Sequence, residues 1–195
     1  MDFINFDDVI SLFNNLKGGE LVLIGSCPSL EKAKLALSLI KEISINKKIG
    51  SCFFSIEMSK EALGKRALDM NFDINNKNLH IFDNPDLDII KLREILEKNK
   101  DENVKYCFID YLGLIVPVAD DKRQNNTEIA KKLKTIALEL NVTIIALMQF
   151  NKEFNGIKLE LSHFDSLENI ADVILTLNKN TEKDKTEIIF LKNVK

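Results

Sequence analysis

Several short runs in this chain are apolar at nearly every position rather than at alternate ones. They include LVLIGS (21–26), GSCFFSI (50–56), VTIIALMQF (142–150) and ADVILTLN (171–178). A strand with one face in water alternates apolar and polar residues; a continuous run marks a strand covered on both faces. LHIF (79–82), VKYCFIDYLGLIV (104–116, strand running into loop) and TEIIFLKN (186–193) complete the set. Helical spacing fills the gaps. Ala33, Leu37 and Ile40 recur on one stripe, and Ser59 caps a helix holding Leu63 and Leu68. Residues 86–99 and 125–141 read as two more helices. The pattern predicts an α/β fold: a mostly parallel central sheet with helices on both faces, as one domain over residues 1–195. In such sheets ligands sit beyond the carboxyl ends of the strands. The loops at 25–32, 56–59, 110–114 and 148–153 are therefore expected at one edge, bringing Lys32, Glu57, Asp110 and Gln149 together.

Composition narrows the chemistry. Apolar residues make up 45% of the 195, enough for a sizeable core, and the net charge is -3. That is no basic footprint of a self-sufficient nucleic-acid binder, although binding through a few loops stays open. No apolar run reaches the length of a membrane span, and the first residues lack the basic and apolar regions of a secretory signal. Cys27, Cys52 and Cys107 are scattered and form no CxxC pair, which fits a reducing cytoplasm. His80 and His163 stand alone, so no zinc site is expected.

The stretch ELVLIGSCPSLEKAKLALSL (20–39) runs strand, turn, helix, with Lys32 at the helix start. That is the build of a phosphate-binding loop. With CFFSIEMSKEALGKRAL, CFIDYLGLI, KKLKTIALELNVTIIALMQFNKE and ENIADVILTLNK in order, nearly the whole chain resembles the C-terminal motor domain of DnaB-type replicative DNA helicases. The resemblance implies a RecA-like P-loop NTPase fold. It also implies a hexameric ring that moves on single-stranded DNA using ATP and Mg, with partners among replication proteins. Ser29 and Lys32 fall in its nucleotide-binding loop. Glu57 falls on the glutamate that activates water, Asp110 on the Walker B aspartate that holds magnesium through water, and Gln149 on the nucleotide-sensing glutamine. Lys152 takes the place of an arginine, and a DNA-binding loop is implied near Lys122 and Arg123.

Three departures weigh against turnover. The family reads Gly-Lys-Thr where this chain has Glu31, Lys32 and Ala33, and an arginine finger where it has Val194. Glycine lets phosphate approach the backbone, and a carboxylate there repels it. Ala33 lacks the magnesium-binding hydroxyl, and Val194 lacks a cation whose effect elsewhere is about 10³–10⁵ in rate. The segment between Asp165 and Leu167 is short against the family pattern, and the family's primase-binding N-terminal domain has no counterpart in this sequence. The expectation is a helicase motor-domain homologue deficient in ATP binding and hydrolysis. It would act through single-stranded DNA, a replicative helicase, another replication protein or copies of itself. The alternative is an active ATP-dependent DNA helicase or translocase with an unusual phosphate loop.

Each residue also has a plainer reading. Lys32 beside Glu31 reads equally as a solvated lysine, and Glu31 as a first-turn acid favoured by the helix dipole. Glu57 and Asp110 can cap the turns after their strands, and Gln149 can be a loop amide. Lys122, Arg123, Lys131, Lys132 and Lys134 can form an ordinary solvated face.

Overall fold

The computed structural model describes residues 2–27, 31–118, 125–150, 159–180 and 185–193. Eight strands form one sheet: β1 (Asp2–Ile4), β2 (Leu21–Ser26), β3 (Gly50–Ser55), β4 (Leu79–Phe82), β5 (Val104–Asp110), β6 (Thr143–Gln149), β7 (Val173–Asn180) and β8 (Lys185–Asn193). Their order across the sheet is β1-β8-β7-β2-β6-β5-β3-β4. The six strands from β7 to β4 run parallel. β8 lies antiparallel to both β7 and β1.

The apolar runs are buried as their composition requires. Every residue of β2 and β3 is buried. Alternate residues feed two separate cores. Leu21 and Leu23 pack with α4 (Ile89–Lys98) and α5 (Asn126–Leu140) on one face. Val22 and Ile24 pack with α1 (Phe6–Asn14), α2 (Glu31–Ile40) and α3 (Lys60–Asp69) on the other. The expected mostly parallel sheet, covered on both sides, is the observed one.

Local signals explain the helix ends. Ser59 caps α3 by accepting from Ala62 N–H. The 86–99 stretch becomes helical only at Ile89, because the Asp88 side chain accepts from the N–H groups of Ile90 and Lys91 and so ends the extended chain. β5 stops at Asp110 rather than continuing, and a 3₁₀ turn takes Leu112–Leu114. α2 is enclosed on more than the expected stripe: Leu35, Ala36 and Leu39 are buried beside Ala33, Leu37 and Ile40. It runs on into a π-helical turn over Lys41–Asn46.

β1 and α1 are additions that the sequence reading did not make. A capping box starts α1: Asn5 Oδ1 accepts from Asp8 N–H while the Asp8 carboxylate accepts from Asn5 N–H. α1 then buries Val9 and Phe13, and the Tyr106 hydroxyl donates to the Phe13 carbonyl at 2.9 Å.

Two glycines give opposite expectations for stability. A Cβ on Gly50 would stand 2.7 Å from the Asn103 carbonyl oxygen and 2.9 Å from that of Glu102, where only backbone movement gives relief. Gly50→Ala is expected to lose roughly 1–3 kcal/mol in urea unfolding. Gly64 lies inside α3, and its added Cβ would meet Ile74 Cδ1 at 3.4 Å, an ordinary contact. Gly64→Ala should leave stability unchanged or raise it by about 0.5–1 kcal/mol.

Candidate functional site: a lysine enclosed by two carboxylates

The carboxyl ends of β2, β3, β5 and β6 converge on one side chain. Lys32 is the second residue of α2 and only 3% exposed. Its Nζ donates to Glu57 Oε2 at 2.8 Å and to Gln149 Oε1 at 3.2 Å, and pairs with Asp110 Oδ1 at 2.9 Å. The face of the Tyr111 ring lies beside it, with Nζ 3.9 Å from the centroid. The four polar residues that end separate segments in sequence thus meet at one point.

The surrounding backbone sets this geometry. Ser55 and Asp110 are cross-strand partners at the ends of β3 and β5. The Asp110 carbonyl accepts from the N–H groups of Ile56 and Glu57, at 2.9 and 3.3 Å. The Ser55 hydroxyl donates to the Met58 carbonyl at 2.7 Å, closing the turn that carries Glu57. Gln149 pairs in register with Ser26, and Phe150 N–H donates to the Ser26 carbonyl. The plainer reading of Lys32 as a solvated lysine is overturned by its burial.

Electrostatics make Lys32 and Asp110 interdependent. Asp110 is 1% exposed, and burial pushes its carboxyl above the usual aspartate range. Lys32 opposes that rise, Glu57 adds to it, and Arg66 on α3 lowers it. Asp110 Oδ2 and the buried Ser26 hydroxyl have no hydrogen-bond partner among the described residues. Glu57 is the open side of the cluster, with its side chain 46% exposed.

The residues present do not make a magnesium seat. Ala33 offers a methyl group where a hydroxyl oxygen is needed, and Asp110 Oδ1 is taken by Lys32. Among the described residues no group of three His, Cys, Asp or Glu side chains is placed to hold a metal ion.

Other candidates fare differently. Ser29, Lys122, Arg123, Lys152 and Val194 lie outside the described residues, and so does the side chain of Glu31. The basic face on α5 is partly internal: Lys134 donates to Asp172 and to the Gly19 carbonyl, both at 2.7 Å, tying α5 to the start of β2. Lys131 pairs with Glu128 in the preceding turn. Cys52 and Cys107 are buried neighbours on β3 and β5, and burial pushes the Cys52 thiol up to about 12. A cavity of about 400 Å³ adjoins Gln149, with Asn126, Phe150 and Asp165 in its wall. Asp165 breaks the 3₁₀ segment Leu161–Asn169 at φ 48°. Sequence reasoning missed Tyr111 and Ser26 as parts of the site. Tyr111 directly follows Asp110, but no spacing rule marks a ring that turns back over a lysine.

Removing one partner of a buried pair strands the other. Lys32→Met is expected to cost about 3–5 kcal/mol at neutral pH, and Asp110→Asn added to it should recover much of that loss. Because the Asp110 carboxyl is raised in the folded state, its favourable contribution is present at acid pH and lost as pH rises through the raised value. The raise is larger without Lys32, so the deficit of Lys32→Met should shrink on acidification. Urea unfolding of the three variants between pH 4 and 8, a range of about four units around the carboxylate and histidine region, reads both effects.

Comparison with known proteins agrees with the geometry. The profile of the DnaB-like helicase C terminal domain matches residues 2–81 and 69–194. Replicative DNA helicase DnaB of Treponema pallidum (strain Nichols) is 28% identical over 227 residues, covering 98% of this chain and 52% of that protein. DnaB of Helicobacter pylori (strain ATCC 700392 / 26695) is 30% identical over 210 residues, covering 90% of this chain and 42% of that protein. The chain therefore spans about half the length of the curated relatives it matches. Among solved structures, a helicase ATPase domain superposes with a TM-score of 0.82 at 26% identity, covering 96% of this chain and 82% of that one. A DnaB-like replicative helicase described with its primase interactions gives 0.76 at 25% identity, covering 91% and 54%. The fold is RecA-like, and the chain belongs to the DnaB-like helicase C-terminal domain family.

Proposed function

We propose that this chain is a replicative-helicase motor-domain homologue that binds and hydrolyses ATP poorly and acts in DNA replication by association. Its partners would be single-stranded DNA, a replicative helicase or other replication protein, or further copies of itself. One observation carries the reading: the lysine that would meet a phosphate is already neutralised inside the protein. Its three donors face Glu57, Asp110 and Gln149.

The chemistry follows from that arrangement. A phosphate loop needs a free cation, a hydroxyl for the metal, and backbone that phosphate can approach. Here Lys32 must leave two carboxylates before it can serve a phosphate, and Ala33 supplies no hydroxyl. A carboxylate on residue 31 adds repulsion of about 4 kcal/mol per unit charge at 4 Å and an effective dielectric near 20. Glu57, in the position to activate water, is itself engaged by the ammonium, which weakens it as a base. On this reading Glu57, Asp110 and Gln149 persist as the structural holders of Lys32.

A second reading has its own support. Glu57, Asp110, Gln149 and Lys32 are all present and in contact, as an ATP-dependent helicase or translocase would also require. Titration with a fluorescent ATP analogue and magnesium separates the two. The first reading expects affinity at least about 100-fold below that of a Glu31→Gly/Ala33→Thr variant, the loss matching about 3 kcal/mol. Micromolar affinity in the unaltered chain, with DNA-stimulated phosphate release, would establish the second reading instead.

Association with DNA rests on Lys122, Arg123 and Lys152. Single-stranded oligonucleotide is expected to shift the chain in a gel at low salt and to lose it steeply as salt rises. Lys122→Ala with Arg123→Ala should flatten that salt dependence. An absent shift at low salt would leave protein partners as the route of association for this chain.

A further inference from the structure

The Lys32 ammonium is enclosed on a fourth side by an aromatic ring that no part of the nucleotide chemistry requires. We infer that Tyr111 is a positioning residue: its ring face holds the Lys32 ammonium against Glu57, Asp110 and Gln149 and limits its swing toward an incoming anion.

The geometry fits a primary ammonium closely. Such a group has three N–H donors, and three oxygens stand around Nζ at 2.8, 2.9 and 3.2 Å. The ring centroid lies 3.9 Å from Nζ, inside the range of a cation–π contact. Such contacts strengthen when water is excluded, and Lys32 is buried. Oxygens satisfy the donors, and the ring occupies a side from which water would otherwise solvate the charge.

The ring is itself fixed. Tyr111 precedes a 3₁₀ turn, and its carbonyl accepts from Leu114 N–H at 3.0 Å. Its ring packs on the core that contains α2 and α3. Gly113 leaves room for it: a Cβ there would stand 3.2 Å from Tyr111 Cε2 and 3.5 Å from Cδ2. Chain geometry after Asp110, rather than Lys32 alone, therefore sets where the ring stands.

This inference rests on the ammonium's surroundings and holds whichever reading of ATP turnover is correct. Amine acylation followed by mass spectrometry tests it in the full chain. Lys41 and Lys134, two partly buried lysines bonded elsewhere to backbone carbonyls, serve as internal controls. Tyr111→Leu is expected to raise Lys32 labelling about tenfold with the controls unchanged, while Tyr111→Phe, which keeps the ring face, raises it less than about twofold. In the unaltered protein the Lys32 ε-methylene resonances should lie upfield of the other lysines, displaced by the ring. They should return to the ordinary position in Tyr111→Leu and stay displaced in Tyr111→Phe. The inference is overturned by unchanged Lys32 labelling in Tyr111→Leu, by equal labelling in the Phe and Leu variants, or by a joint rise at all three lysines, which would mark the ring as packing only.

Discussion

A single ammonium, that of Lys32, is where the strands of this sheet meet chemically. Two carboxylates, an amide oxygen and an aromatic ring surround it at the carboxyl edge. None of these groups is stable there alone. Asp110 is buried with one oxygen unpartnered, and Lys32 buried without carboxylates would be an isolated charge in a low-dielectric site. The sheet order places β6 between β2 and β5, so the residue that closes β6, Gln149, reaches the ammonium held by Asp110 at the end of β5. The site is therefore a consequence of the fold, and it contributes to holding the fold's edge together.

The same interaction constrains function. A motor domain of this family has to release its phosphate-loop cation to the nucleotide at each cycle. In this chain the cation has a net-negative cage around it, and the next residue has lost the oxygen that would share a metal. The cost of opening the cage adds to whatever repulsion Glu31 brings. Architecture and catalytic capacity are thereby separable: the RecA-like fold persists through core packing on two faces, while the charge balance of the loop decides whether ATP can enter.

Much of the fold was legible because its signals are local or periodic. Continuous apolar runs in β2, β3 and β6 specified buried parallel strands, and Ser59 marked the start of α3. The convergence of Lys32, Glu57, Asp110 and Gln149 followed from the rule that polar residues ending parallel strands share an edge. Tertiary contacts decided what stayed hidden. α1 has a short capping box that only its packing on Tyr106 makes decisive, and β1 is three residues paired to the end of the chain. Lys134 belonged to a basic stripe by spacing, yet it reaches Asp172, 38 residues away. Tyr111 looked like one more apolar residue of a strand, and only the 3₁₀ turn after Asp110 puts its ring over Lys32.

The most direct test is a crystal structure of the chain soaked with a non-hydrolysable ATP analogue and magnesium. The account predicts that Lys32 stays within hydrogen-bonding distance of Glu57 and Asp110, with no ordered phosphates at the tip of α2. Phosphates seated against that helix, with Lys32 turned to them and metal beside Asp110, would contradict it.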